Sequence, residues 1–348
     1  MRILVTADVH LAADHPERLA ALEDVIRIGR ENAVDVLLIA GDLFDAGVDI
    51  EAIKPALRER FSDIPFPTYV IPGNHDASAF REEDHFGDTI TVLANRPFSQ
   101  RRIGSVNLIA VPYIETDFGA VLDDLHAAHE ADAENVLLIH GTLSSAQNTA
   151  VGDEDRYLPF TPEQLLETGA DYVAAGHIHA TSTKQTFGDN ACVFVYPGSP
   201  VSITRSETGK RGAWIIDTEQ AHLEHVHVDA PYFVREELDL IPGEATAKLS
   251  ELEHRLASRD LTRATVLVEP AGFIEMDEAA FFNSLEEIVA NAGSDGYEIN
   301  QEHVDSASAV LDSGLYRAFE RKLDERDAVD SRQLRRIVLQ ALSREARR

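Results

Sequence analysis

The 348-residue chain has one cysteine and 31 basic against 61 acidic side chains. It also has no apolar run approaching the roughly 18 residues that a membrane span needs. Each scarcity excludes something. Cys192, in "ACVFVYPG", has no second cysteine to pair with, so the chain reads as one made for a reducing compartment, with Cys192 as a core thiol. The opening "MRILVTADVHL" is strand-like and has no basic n-region followed by an apolar h-region. No signal peptide and no membrane contact are expected, and the expected location is cytoplasmic. A formal net charge of −30 excludes a surface that grips nucleic acid throughout, and fits solubility or a salt-rich cytoplasm. Basic charge is local. Residues 315–348 hold ten Lys/Arg against six Asp/Glu, and small basic spots lie at Arg101–Arg102 and at Arg205, Lys210 and Arg211.

Hydrophobic residues make up 44% of the chain, enough for one large or two ordinary cores. Short apolar runs recur: "RILVTA" (2–7), "DVLLIAG" (35–41), "PTYVIPG" (67–73), "VNLIAVP" (106–112), "NVLLIHG" (135–141), "DYVAAG" (171–176), "VFVYPG" (193–198) and "GAWIID" (212–217). They do not alternate with polar residues, which predicts strands covered on both faces and hence a layered α/β domain. Past Asp217 the texture changes to a β-α-β-α-β module of under 100 residues. The expected organisation is a core over 1–217, an α/β cap over 218–305 and a helical segment over 306–348. Leu334, Ile337, Val338 and Leu342 form an apolar stripe in that last segment, suited either to a partner or to the chain's own core.

The strand ends carry polar residues where an open α/β sheet gathers its ligands. They read Asp8-Val9-His10, Gly41-Asp42, Gly73-Asn74-His75-Asp76, His140-Gly141 and Gly176-His177-Ile178-His179. A single histidine after a strand is ordinarily a hydrogen-bonded structural residue. Five such ends in chain order are a pattern. Without thiolates, a closed structural zinc site is excluded; carboxylate, carboxamide and imidazole together suit Mn²⁺, Fe²⁺ or Zn²⁺. A donor set this large exceeds what one catalytic ion with an open position takes, and suffices for two ions sharing a carboxylate.

These blocks resemble the DxH, GD, GNH(D/E), H and GHxH pattern of the calcineurin-like metallophosphoesterases. The resemblance implies two mixed β-sheets flanked by helices, and two divalent ions, manganese foremost. It implies that Asp8, His10 and His179 hold the first ion, that Asn74, His140 and His177 hold the second, and that Asp42 bridges them. His75 would contact the phosphate and assist the leaving group, a role that suits imidazole near neutral pH. Asp76 joins it as a catalytic candidate, either orienting an imidazole or closing the GNHD turn. Gly176 is expected to let the chain turn sharply before His177.

Within that superfamily, "AGDLFD" (40–45) differs from the GDYVDRG form of the Ser/Thr phosphatases. The segment "VYPGSPVSITRSETGKRGAWIID" (195–217) resembles the "YPGS…E…KG" segment of the SbcD-type DNA repair nucleases, as does the small module that follows the core. This implies a 3′→5′ exonuclease with single-strand endonuclease activity on DNA, a homodimer, and an SbcC-type ATPase partner. Arg205, Lys210 and Arg211 are then candidate substrate contacts, or members of a solvated turn. The cluster His222, His225 and His227 falls in an expected linker and is assigned no metal. Two other readings stay open: a phosphodiesterase or phosphatase acting on small nucleotides or phosphoproteins, which the acidity favours, and a non-catalytic scaffold.

Overall fold

A computed structural model describes residues 1–80, 85–144, 157–180, 182–189, 191–324 and 331–346. The chain falls into two compact units, Met1–Tyr232 and Phe233–Arg348. The strands of the first unit are β1 (Arg2–Thr6), β2 (Val36–Ile39), β3 (Thr68–Val70), β4 (Ile90–Val92), β5 (Ser99–Ile103), β6 (Val106–Val111), β7 (Glu134–His140), β8 (Tyr172–Gly176), β9 (Thr183–Phe187), β10 (Cys192–Tyr196), β11 (Gly212–Asp217) and β12 (His222–His227). Its helices include α1 (Pro16–Glu31), α2 (Ile50–Phe61), α3 (Leu122–Ala127) and α4 (Pro162–Glu167).

Two six-stranded mixed sheets result, in the orders β12-β11-β1-β2-β3-β4 and β5-β6-β7-β8-β10-β9. In the first, β1 to β4 run parallel while β11 and β12 are antiparallel additions. In the second, β6, β7, β8 and β10 run parallel between antiparallel edges.

Alternate residues of each central strand go to different layers, which is why their sequences do not alternate in polarity. Ile3, Val5, Val36 and Leu38 meet Leu108, Val136 and Leu138 between the sheets. Leu4, Leu37 and Ile39 face the other way, onto Leu22 and Val25 of α1 and Ile53, Leu57 and Phe61 of α2. Ile109, Leu137 and Val173 do the same on the second sheet, packing on Phe118, Leu125 and Leu165. Full burial of such side chains contributes about 1.5–3 kcal/mol each, so both faces of the parallel strands hold them in register.

His222–His227, expected as linker, is an edge strand paired with β11 along its whole length. His225 packs on Trp214 opposite, with its Nε2 2.8 Å from Ser182 Oγ. Paired on one side only, "HLEHVH" keeps His222, Glu224 and His227 exposed, while Leu223 and Val226 are half-buried against the core on either face.

The second unit is built from β13 (Tyr232–Leu240), α5 (Ala245–Ala257), β14 (Ala264–Ile274), α6 (Glu278–Ala290), β15 (Gly296–Ile299) and β16 (Val304–Ser306), followed by α7 (Ser308–Leu311), α8 (Gly314–Asp324) and α9 (Ser331–Ala346). β14 pairs with β13, β15 and β16 in a four-stranded sheet. In α9, Leu339 is buried and Val338 and Leu342 pack beside it on Phe273 and Tyr316. Leu334 and Ile337 remain exposed. The apolar stripe therefore divides between the unit's own core and solvent. Among the described residues, no helix is long and apolar enough to cross a membrane.

Candidate metal centre

The polar blocks follow the carboxyl ends of β1, β2, β3, β7 and β8. Backbone geometry there is unusual. Asp8, His10, Asp42 and His177 have φ of 53°, 50°, 49° and 97°, in the left-handed region that costs roughly 1–3 kcal/mol per non-glycine residue. Hydrogen bonds hold the turns in place: Asp8 N donates to Gly41 O and His10 N to Asp42 O, each at 3.0 Å. Strain of this kind gathers where side chains must be aimed.

Two glycines are fixed by close approach. A Cβ at Gly73 would stand on the Asp42 carboxylate, and one at Gly176 on the Ala40 carbonyl oxygen. Gly176 closes strand β8 and has no left-handed φ; the sharp turn is made by His177 itself. The role expected for Gly176 is corrected accordingly. It lets two sheets meet rather than letting one strand turn.

Asp8, His10, Asp42 and His179 present donor atoms all within 4.8 Å of one another. The Nε2 atoms of His10 and His179 face each other at 3.0 Å. His179 Nδ1 lies 3.2 Å from Glu207 Oε1, so that nitrogen carries the proton and Nε2 keeps its lone pair. A second group stands beside this one. Asn74 Oδ1 is 2.9 Å from His140 Nε2 and 3.2 Å from His177 Nδ1. His140 Nδ1 donates to Ala40 O at 2.9 Å, which turns Nε2 toward Asn74 Oδ1 and Asp42 Oδ2. The His177 backbone N donates to both Asp8 oxygens, at 2.9 and 3.1 Å.

Asp42 stands between the groups. Its Oδ1 accepts from His75 N at 2.9 Å. Its Oδ2 lies 3.4 Å from His140 Nε2 and 3.7 Å from His10 Nε2, and is buried with no hydrogen-bond donor among the described residues. A buried carboxylate oxygen left without a donor costs on the order of 1–3 kcal/mol or more. Imidazole nitrogens flank it on both sides, and the carboxylate, carboxamide and imidazole donors gathered here fit divalent metal ions.

Burial pushes Asp8 up to about 6, against the pull of His179 and His140. Burial and the neighbouring His179 bring His10 down to about 4, so its imidazole is neutral and ready to ligate. For Asp42, burial acts upward, but His140 and His10 outweigh it and hold the carboxyl well below its ordinary range. His140 is the counterpart: burial acts downward, yet Asp42 and Asp8 carry it to about 9. Opposed shifts packed this closely mark functional sites.

His75 is the solvent-facing member, its side chain 38% exposed. It sits edge-on to His10 at 4.8 Å between ring centroids, with Nδ1 3.7 Å from Asp45 Oδ1. Asp76 is fully buried; its two oxygens accept from Gly73 N at 2.7 Å and Phe44 N at 3.1 Å. Both oxygens serve backbone amides, so of the two roles open to it, Asp76 has the loop-closing one.

The expectation for Arg211 is corrected. Only 2% exposed, it donates through Nε to Ser199 O at 2.9 Å and through Nη2 to His179 O. Its Nε and Nη2 bind carbonyls inside the fold, and its burial puts it out of reach of a substrate. Arg205 and Lys210 lie exposed on the same loop.

Two carboxylates behind the cluster escape a reading of the sequence. Asp45 Oδ1 is 3.5 Å from His10 Nδ1, while Asp45 Oδ2 accepts from the buried Arg18 at 2.7 Å. Glu207 is the other. Each lies far in sequence from the imidazole it faces; the only signal is the Glu inside the "YPGS…E…KG" segment.

Residues 1–181 match the family described as calcineurin-like phosphoesterase. The chain is 26% identical over 211 residues to the uncharacterized metallophosphoesterase YhaO of Bacillus subtilis, a match spanning 57% of this chain and 48% of that protein, about half its length. It is 26% identical over 304 residues to the SbcD component of the SbcCD nuclease of Escherichia coli, spanning 73% of this chain and 74% of that one. With the DNA double-strand break repair protein Mre11 of Methanopyrus kandleri it shares 24% identity over 335 residues, spanning 85% and 69% of the two chains.

Proposed function

The chain belongs to the calcineurin-like phosphoesterases, metal-dependent hydrolases, and on that footing we propose that it is a dinuclear phosphodiesterase acting on DNA. We infer an SbcD-like 3′→5′ exonuclease with single-strand endonuclease activity, serving double-strand-break repair, with Mn²⁺ as the working metal. The observation that carries the centre is Asp42 Oδ2, buried between His10 and His140 with no donor among the described residues. Support for DNA comes from the match to the SbcCD nuclease: 73% of the chain is more than the first unit alone can supply. The second unit is then the cap that seats the duplex. A homodimer and an SbcC-type ATPase partner belong to the same reading.

Asp8, His10, Asp42 and His179 would hold one ion and Asn74, His140, His177 and Asp42 the other. Bound there, the pair supplies neutralisation of phosphoryl charge and a deprotonated water at neutral pH. The protein does the rest. Left-handed turns and backbone hydrogen bonds hold the donors in place before the substrate arrives. His75, at the solvent face with Asp45 Oδ1 3.7 Å from its Nδ1, would give a proton to the leaving alkoxide. Arg205 and Lys210 would meet flanking phosphates.

One observation favours a second reading. At a net charge of −30 the chain repels an extended polyanion, since DNA affinity rests on phosphate neutralisation. A small phosphodiester or phosphomonoester needs no basic groove. The deciding experiment incubates purified protein, with Mn²⁺ or with chelator, against labelled duplex, single-stranded DNA and bis-p-nitrophenyl phosphate. Metal-dependent shortening of DNA supports the nuclease. Hydrolysis of the small diester with intact DNA at every salt concentration leaves the second reading in its place.

A further inference from the structure

The segment from Ser199 to Arg211 follows the last block of the centre, and its geometry points to a task other than substrate contact. Glu207 is 7% exposed. Its Oε2 accepts from Ile203 N at 2.8 Å, and its Oε1 accepts from Thr204 N at 3.2 Å and Thr204 Oγ1 at 3.1 Å. Ser202 Oγ closes the turn on Glu207 O at 2.7 Å. A carboxylate held by these donors cannot swing away from the one group it still faces, His179 Nδ1 at 3.2 Å. Arg211 pins both ends of the arrangement, binding Ser199 O on the strap and His179 O on the ligand loop.

We propose that Glu207 is a positioning residue that acts through His179 and sets the affinity of the Asp8–His10–His179 side of the centre, leaving the Asn74–His140–His177 side unchanged. This rests on the dinuclear reading above. The asymmetry comes from what backs each imidazole. His179 is backed by a buried carboxylate, which raises the basicity of the ligating nitrogen, whereas His140 is backed by the neutral carbonyl of Ala40 at 2.9 Å. Loss of such a partner typically weakens metal binding about 10–100-fold.

The test titrates full-length protein with Mn²⁺ and follows free Mn²⁺ by electron paramagnetic resonance. Glu207→Gln is made in two backgrounds, His177→Ala, which leaves the first side intact, and His10→Ala, which leaves the second. Glu207→Gln is expected to weaken the remaining ion about 10–100-fold in the His177→Ala background and to leave it unchanged in the His10→Ala background. Equal weakening in both, the signature of a merely structural residue, overturns the proposal while the two-ion reading stands. No change in either background overturns it as well. A wild-type chain that binds no Mn²⁺ overturns the dinuclear reading and this inference with it. If circular dichroism shows Glu207→Gln unfolded, Thr204→Val, which removes one donor and keeps the carboxylate, is expected to give a smaller shift confined to the same background; a shift in both or in neither overturns the proposal.

Discussion

His10 and His179, 169 residues apart in the chain, bring their Nε2 atoms to 3.0 Å within the fold. Their remaining nitrogens face Asp45 and Glu207 respectively, at 3.5 and 3.2 Å. Glu207, hydrogen-bonded to His179 Nδ1, directs the His179 lone pair inward, while Asp45 lies behind the His10 ring without hydrogen-bonding it. Together with Asp8 and Asp42 they make a group able to hold a metal ion.

Protonation follows from this placement and gives a stability test. In the folded chain without metal, His140 titrates at about 9 against an ordinary 6.5. Its contribution is fully present below pH 6.5 and is lost as pH rises through 9, on the order of a few kcal/mol. Asp8, raised from 3.8 to about 6, acts in the same direction: its stabilising share is present below pH 3.8 and lost as pH rises through 6. Chelator-treated protein should therefore melt at a lower temperature at pH 9 than at pH 6.5. With Mn²⁺ present the decline should flatten, because the ion favours the deprotonated donors. Thermal melts at the two pH values, with and without chelator, decide it.

Asp42→Ala is expected to lose both ions together, because Oδ2 stands between His10 and His140. Turnover should fall by more than about 100-fold, since charge stabilisation on both sides of the phosphoryl group goes with it. Metal analysis of the dialysed variant is the measurement, and retention of one ion would contradict the bridging assignment.

His75→Ala should keep its metal content and lose about 10²–10⁴-fold in turnover on an alkyl phosphodiester, the usual contribution of a general acid. The loss should shrink for a nitrophenolate leaving group, which departs without a proton. Asp45→Asn, acting at 3.7 Å from His75 Nδ1, should give the same pattern at smaller amplitude. A loss independent of the leaving group would remove the acid role.

The eight apolar runs visible in the sequence are the strands β1, β2, β3, β6, β7, β8, β10 and β11, and the described strands of the first unit without such a run are its edge strands β4, β5, β9 and β12. The division has a physical cause. A strand covered on both faces must be apolar throughout, whereas edge strands such as "TKQTF" and "HLEHVH" stay partly exposed and read like loops. The strand-end blocks are legible because each sits within a few residues of a visible strand. What stands behind them is not. Arg18, Asp45, Glu207 and the turned-in Arg211 act through contacts between segments distant in the chain, made only in the fold. Arg211 in particular is indistinguishable in sequence from its exposed neighbours Arg205 and Lys210.

Gly176→Ala tests how tightly the two sheets meet. The new Cβ would stand on Ala40 O and close to His140 Nδ1, the two atoms whose hydrogen bond orients His140. Overpacking a core position costs typically about 1–3 kcal/mol, and backbone cannot yield here as a side chain would. A lower melting temperature is expected, together with weakened metal binding. A variant with unchanged metal affinity would show that His140 keeps its orientation without the Ala40 contact.

Arg205 and Lys210 separate the two substrate readings by their salt response. Each phosphate neutralised by a basic side chain contributes about 0.9 to the slope of log affinity against log salt on duplex DNA. If both side chains meet phosphates, the Arg205→Ala, Lys210→Ala double variant should bind duplex more weakly at low salt, with a slope shallower by up to about 1.8. Hydrolysis of bis-p-nitrophenyl phosphate, which offers no flanking phosphate, should change far less than DNA cleavage does. The surrounding charge sharpens the expectation. With 61 acidic against 31 basic residues in the chain, losing two cations removes a large share of any local attraction. Filter-binding or anisotropy titrations across a roughly tenfold range of salt would measure the slope. An unchanged slope would place these residues in a solvated turn and move the DNA contacts elsewhere, to the second unit or to a partner.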